Sequence, residues 1–292
     1  TPVVMVSSLT EKGAVTTFEA LALGAVDFVP KPGGTISLSI DSVREQLLEK
    51  VRIASRSRRL KGAKVNTVRE IRREVPQRAL STVISRGTPN GVSMRPFGVV
   101  CIGVSTGGPR ALEEILPALP ATFPWPVLIS QHMPPTFTEA FANRLNSLCA
   151  LEVVEVSKPM VLMPGVAYIG KGGTDMVLSN RAGSLYAVPK PENPELLWHP
   201  SVEALMSSVM DTLNPAQVVG VMLTGMGYDG SDSMAALKKA GARTIAESEE
   251  SATIFGMPAE LIRKEGASIV LPCNRIAHQL KLWVGTGEKK WA

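Results

Sequence analysis

The chain has 292 residues, 45% of them apolar and 5% aromatic, enough for one large core or two smaller ones. No stretch approaches the ~20 consecutive apolar residues of a membrane helix and no signal-peptide pattern opens the chain, so a cytoplasmic protein without membrane insertion is expected. The net charge of +5 sits in one place: residues 53–96 hold eleven Lys or Arg against two acids, leaving twenty against twenty-four elsewhere. That segment has no aromatic residue to stack on bases, which argues against a nucleic-acid partner but leaves contact with acidic surfaces open.

Residues 1–52 run strand (PVVMVSS), helix (TTFEALALG), strand (AVDFVPKP) and a helix from about Ser42 to Ile53. Two parallel strands with their helices cannot bury both sheet faces, so this stretch reads as the end of a domain whose beginning lies before Thr1. Residues 53–96, rich in basic residues, Ser, Thr and Pro, read as an interdomain linker with a helical run around VREIRREV. From Phe97 onward near-continuous apolar strands (FGVVCIGVS, PVLISQH, VVGVMLTGMG, RTIAES) alternate with helical stretches. Residues 97–292 are therefore expected to form one α/β domain, a doubly wound, mostly parallel sheet, with a β-hairpin in PGVAYIGKGGTDMVLS.

The three cysteines, Cys101, Cys149 and Cys273, are widely spaced beside apolar residues and read as reduced, buried thiols. With three histidines and no Cys or His cluster, a metal site is not expected, and neither is an organic cofactor.

The glycine-rich turn IGVSTGGPRAL follows a strand and opens a helix. It lacks the Lys and Ser or Thr of a phosphate-binding loop, since Pro109 and Arg110 follow Gly108. Nor does it fit a dinucleotide fingerprint: Ser105 breaks the glycine pattern and the next strand ends in Gln131, not an acid. What it contains is G-x-S-x-G, residues 103–107, with Ser105 either a nucleophile raised on a sharp turn or a helix N-cap. His132 follows the next apolar strand and Asp229 a later one. Strands of a parallel sheet end on one edge, so the three can converge there as nucleophile, base and orienting acid. For Asp229 the alternative is loop capping. His278 falls off the apolar face of its helix, His199 precedes a helix where it could meet ligand or cap, Asp175 falls in the expected hairpin turn, Asp211 within a helix and Asp232 at a helix start. The order Ser, His, Asp departs from the Ser, Asp, His of the common α/β-hydrolases, which argues against that fold and not against the chemistry.

Residues 1–52 resemble the last third of a response-regulator receiver domain, with Ser7 ending a strand, Phe28 in the next and Lys31 before Pro32. The strings IGVSTGGPRAL, QHMPPTFTEAFANRLN, LTGMGYDG and FGMPAE resemble, over residues 97–284, the protein-glutamate methylesterases of bacterial chemotaxis. In that family a receiver is joined by a linker to a serine hydrolase. The resemblance implies Ser105 as nucleophile, His132 as base then acid, and Asp229 as its orienting residue. It implies Thr106 and Met226 as oxyanion donors through backbone N–H groups, and hydrolysis of glutamate γ-methyl esters on chemotaxis receptors with deamidation of selected glutamines. Arg144 either meets an acidic receptor helix or is a plain exposed helix residue. Asp175 and His199 depart from the family pattern, where a His and an Arg are common. The receiver of the family hinders access until a histidine kinase provides a phosphoryl group. Its phosphoacceptor would lie upstream of Thr1, so residues 1–292 are expected not to respond to phosphodonors, and residues 1–52 to be poorly stable alone. The rivals are a non-catalytic receptor-docking module and a general carboxylesterase.

Overall fold

The computed structural model describes residues 1–8, 11–31, 40–56 and 98–285; the basic stretch from residue 57 on, with the helical run expected at residues 68–75, lies outside them. At the N-terminus β1 (Val4–Ser7), α1 (Glu11–Ala22), β2 (Asp27–Pro30) and α2 (Ile40–Arg56) follow the expected order, and α2 runs four residues past the boundary drawn at residue 52. The two strands pair in parallel, Val4 with Asp27 through Ser7 with Pro30, and form a sheet of their own. Their apolar cover comes from elsewhere in the chain, from the helix α4 (Pro135–Leu148). Phe18 of α1 stacks on Phe141 with ring centroids 5.2 Å apart, and Phe28 of β2 lies 4.5 Å from Phe137. Both are almost fully buried, and removing each from water stabilises the contact by about 1.5–3 kcal/mol.

The main sheet has seven parallel strands. In chain order they are β3 (Val99–Val104), β4 (Val127–Gln131), β5 (Glu152–Val156), β7 (Val166–Gly170), β10 (Val218–Met222), β11 (Arg243–Glu247) and β12 (Ile269–Leu271), arranged β12-β11-β10-β3-β4-β7-β5. β3, β4 and β10 are buried at every residue, which is why they read as unbroken apolar runs. Alternate side chains serve opposite faces. Val100, Ile102 and Val104 join a core with α3 (Gly108–Ile115), α4 and α8 (Cys273–Val284). Val99 and Cys101 join a second core with α5 (Val202–Thr212), α6 (Ser231–Lys239) and α7 (Met257–Arg263). No helix among the described residues is long and apolar enough to cross a membrane.

The hairpin lies elsewhere than the sequence suggested. β7 is a parallel strand between β4 and β5, and the expected partner, β8 (Asp175–Arg181), pairs instead with β9 (Ser184–Lys190); with β6 (Met160–Val161) they form a small antiparallel sheet. The turn is Ala182-Gly183, both at positive φ (50° and 83°), the geometry of a two-residue hairpin loop. Gly172 and Gly173 only redirect the chain from one sheet to the other. The strands β5, β6, β9 and β12 were not anticipated.

From β3 the chain steps to β4 on one side and later returns as β10 on the other. A doubly wound sheet opens a crevice at such a switch point, outside the strand C-termini.

Candidate active site

The β3–β4 ladder ends at Val104 and Gln131, so Ser105 and His132 each stand one residue past the last pair. The His132 N–H donates to the Val104 carbonyl at 3.0 Å. Across β3, the segment leaving β10 continues the pattern: the Leu223 N–H donates to Gly103 (2.9 Å) and the Ser105 N–H to the Thr224 carbonyl (3.0 Å). That segment then delivers Asp229. The turn after Ser105 uses Gly107 at φ +81° as the N-cap of α3, and no side chain caps this helix. The capping alternative for Ser105 is therefore not realised, and its hydroxyl is not consumed by α3.

His132 Nε2 lies 2.8 Å from Asp229 Oδ2. The carboxylate also accepts the Ser201 hydroxyl (2.9 Å) and the backbone N–H groups of Val202 (2.6 Å) and Glu203 (3.0 Å), the first turn of α5. Capping and orienting thus belong to one side chain. Burial alone would raise the Asp229 carboxyl, but the hydrogen bond and charge of His132 and the two N–H groups outweigh it and hold it below its ordinary value. An ionised acceptor fixes the proton on Nε2 and leaves Nδ1 as the basic nitrogen. Nδ1 is buried and has no hydrogen-bond partner among the described residues.

Gln131, itself buried, ties the two strand ends together: its Nε2 donates to the carbonyls of Ser105 (2.9 Å) and His132 (3.1 Å). Gly225 leaves room for the serine from the other side. A Cβ there would lie 2.4 Å from Met257 Sδ and 2.7 Å from Ser105 Cβ. Gly225→Ala is expected to lower stability by about 1–3 kcal/mol, the cost of overpacking a close-packed site, as measured by denaturant unfolding; an unchanged midpoint would refute the crowding.

A cleft of about 280 Å³ opens here, lined by Ser105, Thr106, Gln131, His132, Trp198 and Met226. The backbone N–H groups of Thr106 and Met226 have no acceptor among the described residues. Asp27, Phe28, Glu49, Lys50 and Ile53 from the N-terminal segment form the opposite wall. The Thr106 hydroxyl donates to Asp27 Oδ2 at 2.6 Å, and Lys50 Nζ pairs with Asp27 (3.1 Å) and donates to the Phe28 carbonyl (2.7 Å).

Of the other sequence candidates, Phe28 and His199 line the cleft and the rest fall away from it. Arg144 forms a two-pronged pair with Glu113 (2.5 and 3.2 Å) and is not among the cleft-lining residues. Ser7 donates to the Gly13 carbonyl at the start of α1, Lys31 is exposed, and Phe28 is buried against α4. Asp175 is not in a hairpin turn; it is buried at the start of β8, pairs with His199 Nδ1 at 3.0 Å and accepts the Ser201 N–H at 2.8 Å. His199 lines the cleft, whereas His278 is exposed. Sequence reasoning missed Trp198, Gln131, Ser201 and Asp27. Only Ser201 carried a readable sign, a serine at the N-cap of a helix whose first turn holds Glu203. Among the described residues no three His, Cys, Asp or Glu side chains are grouped to hold a metal ion.

Comparison with known proteins gives consistent results. Residues 100–280 match the family model described as CheB methylesterase. A protein-glutamate methylesterase/protein-glutamine glutaminase of Rhodospirillum rubrum is 50% identical over 97% of this chain and 76% of its own length. A protein of the same name from Caldanaerobacter subterraneus is 44% identical over 94% of this chain and 74% of its own. The crystal structure of the Thermotoga maritima CheB methylesterase catalytic domain superposes with a TM-score of 0.61 at 35% identity, covering 63% of this chain and 97% of that one. With its serine turn, its His–Asp pair and its sheet order all set in a match of this extent, the chain belongs to the CheB methylesterase family.

Proposed function

We propose that this protein is a serine hydrolase that removes γ-methyl esters from glutamate side chains of chemotaxis receptors, releasing methanol, and deamidates selected receptor glutamines. Family membership supports the substrate class. The observation that carries the chemistry is the buried His132–Asp229 pair, whose second nitrogen is left without a partner at the strand end beside Ser105.

In this mechanism Asp229 holds Nε2–H, so His132 Nδ1 takes the Ser105 proton as Oγ attacks the ester carbonyl. The negative charge on the tetrahedral oxygen is met by the N–H groups of Thr106 and Met226, with the positive end of α3 behind them. Each such donor contributes roughly 10²–10³ in rate. Collapse breaks the C–OCH₃ bond, and Nδ1–H protonates the leaving methoxide. Water, deprotonated by Nδ1, then releases glutamate and restores Ser105. A glutamine follows the same course with ammonia as leaving group. No step requires a metal or organic cofactor.

The test is methanol release from receptor carrying methylated glutamates, run beside ammonia release from receptor carrying the corresponding glutamines. Methanol release saturable in receptor is expected. Receptor binding without methanol would favour a docking module, and rapid turnover of small esters but not of receptor a general carboxylesterase.

We further propose that residues 1–52, similar to the end of a receiver domain, cover the cleft and restrict access for receptor, with residues 53–96 linking them to the hydrolase at 97–292. In this reading a chemotaxis histidine kinase is the phosphodonor for the receiver to which residues 1–52 are similar, and the setting is cytoplasmic. The Thr106–Asp27–Lys50 chain supports it, because it fastens the N-terminal segment to the residue next to Ser105. A hydrogen bond to a carboxylate contributes about 1.5–3 kcal/mol. Asp27→Ala is therefore expected to raise kcat/KM for receptor roughly tenfold, and an unchanged or reduced value would reject this cover.

A further inference from the structure

We infer that Trp198 is a positioning residue for His132, holding the imidazole in place and favouring its protonated form. This rests on the proposed role of His132 as base. The indole and imidazole planes are 2° from parallel with centroids 5.5 Å apart, an offset stack. His132 is only 9% exposed in its side chain, and Trp198 stands on the same cleft wall. The indole also meets the Tyr228 ring in a T-shaped contact, 5.4 Å between centroids at 85°. Gly227, at φ +88°, makes room for it: a Cβ there would lie 2.9 Å from the indole Cζ2.

The backbone around Trp198 is pinned as well. The next residue, His199, pairs with buried Asp175, which also accepts the Ser201 N–H. Ser201, Val202 and Glu203 in turn hold the Asp229 carboxylate. One run of six residues thus grips both members of the pair, the ring by stacking at 198 and the carboxylate by hydrogen bonds at 201–203.

A neutral imidazole gains little from lying over an indole face, whereas an imidazolium is attracted to the π cloud. His132 becomes imidazolium only once it has taken the serine proton, so the contact strengthens toward the transition state and acts on kcat more than on KM. The other charged or titratable groups around the cleft and the indole are Asp229 at Nε2, Asp27, Glu49 and Lys50 from the N-terminal segment, His199 on the loop that carries Trp198, and Tyr228 against the indole. None of them is altered by changing Trp198 alone.

The experiment compares wild type, Trp198→Phe, Trp198→Leu and His132→Ala on methylated receptor across pH. Leucine keeps apolar cover without a π face. Trp198→Leu is expected to lose roughly tenfold to thirtyfold in kcat with KM little changed, and Trp198→Phe to recover part of it. Because the indole favours the charged ring, the acid limb of the rate profile moves to lower pH in Trp198→Leu. The His132 ring titration followed by NMR in Trp198→Phe moves the same way, which keeps a readout if the leucine variant does not fold. Wild-type kcat and an unmoved acid limb in Trp198→Leu, or an unmoved His132 titration in Trp198→Phe, would overturn the inference. Activity surviving in His132→Ala would instead overturn the role of His132 as base, a separable failure.

Discussion

Replacing Ser105 with alanine is expected to reduce methanol release from methylated receptor roughly a million-fold, the loss seen when the nucleophile of a serine triad is removed. The variant is expected to fold normally for a structural reason. Among the described residues every hydrogen bond of Ser105 uses the backbone: its N–H donates to Thr224, and its carbonyl accepts from Gly108 and Gln131. Alanine preserves all three, and the side chain caps no helix. The measurement pairs turnover with a thermal unfolding midpoint. A folded Ser105→Ala protein that still releases methanol would exclude Ser105 as nucleophile and leave the cleft without a candidate for that role.

The second large effect is expected at Asp229. In Asp229→Asn the side-chain amide can donate to His132 Nε2, which moves the imidazole proton to Nδ1, the nitrogen that accepts from Ser105 in the proposed mechanism. A wrong tautomer of this kind costs roughly 10⁴ in kcat. The amide also disturbs a carboxylate that accepts three further donors, so stability should fall too, by about 1–3 kcal/mol for a buried group left badly paired. The pH dependence carries a sign. The Asp229 carboxyl is held below its ordinary value in the folded protein, so its stabilisation is present above the unfolded value of about 3.9 and is lost as pH falls through the lower folded value. The stability gap between wild type and Asp229→Asn should therefore be full at neutral pH and close in acid. A gap that stays constant from neutral pH into acid would show that the carboxylate charge is not what the variant loses.

What was legible in the sequence follows from where each signal resides. β3, β4 and β10 carry their signal locally, since burial on both faces demands an unbroken apolar run. Because parallel strands end on one edge, finding those runs also located Ser105, His132 and Asp229. The misplaced hairpin shows the limit. Two strand-like runs separated by Gly172 and Gly173 look like a hairpin unless each has a stronger partner, and β7 has two, β4 and β5. The short edge strand β12 and the half-exposed β5 offered too few apolar positions to stand out. Trp198, Gln131 and the Asp175–His199 pair were invisible because their roles depend on loop paths. Asp175 lies 24 residues from the histidine it pairs with. Asp27, 79 residues from Thr106, is more remote still.

The Gln131 carboxamide changes how the spacing between Ser105 and His132 should be understood. The paired register of β3 and β4 stops one residue short of both, and beyond it the backbone contributes the His132 N–H on Val104 and the Ser105 N–H on Thr224, neither of which joins the two residues to each other. A single amide group donating to both carbonyls supplies the direct link between them. One side chain packed in the protein interior thus shares with the backbone the task of setting how far apart these two residues stand.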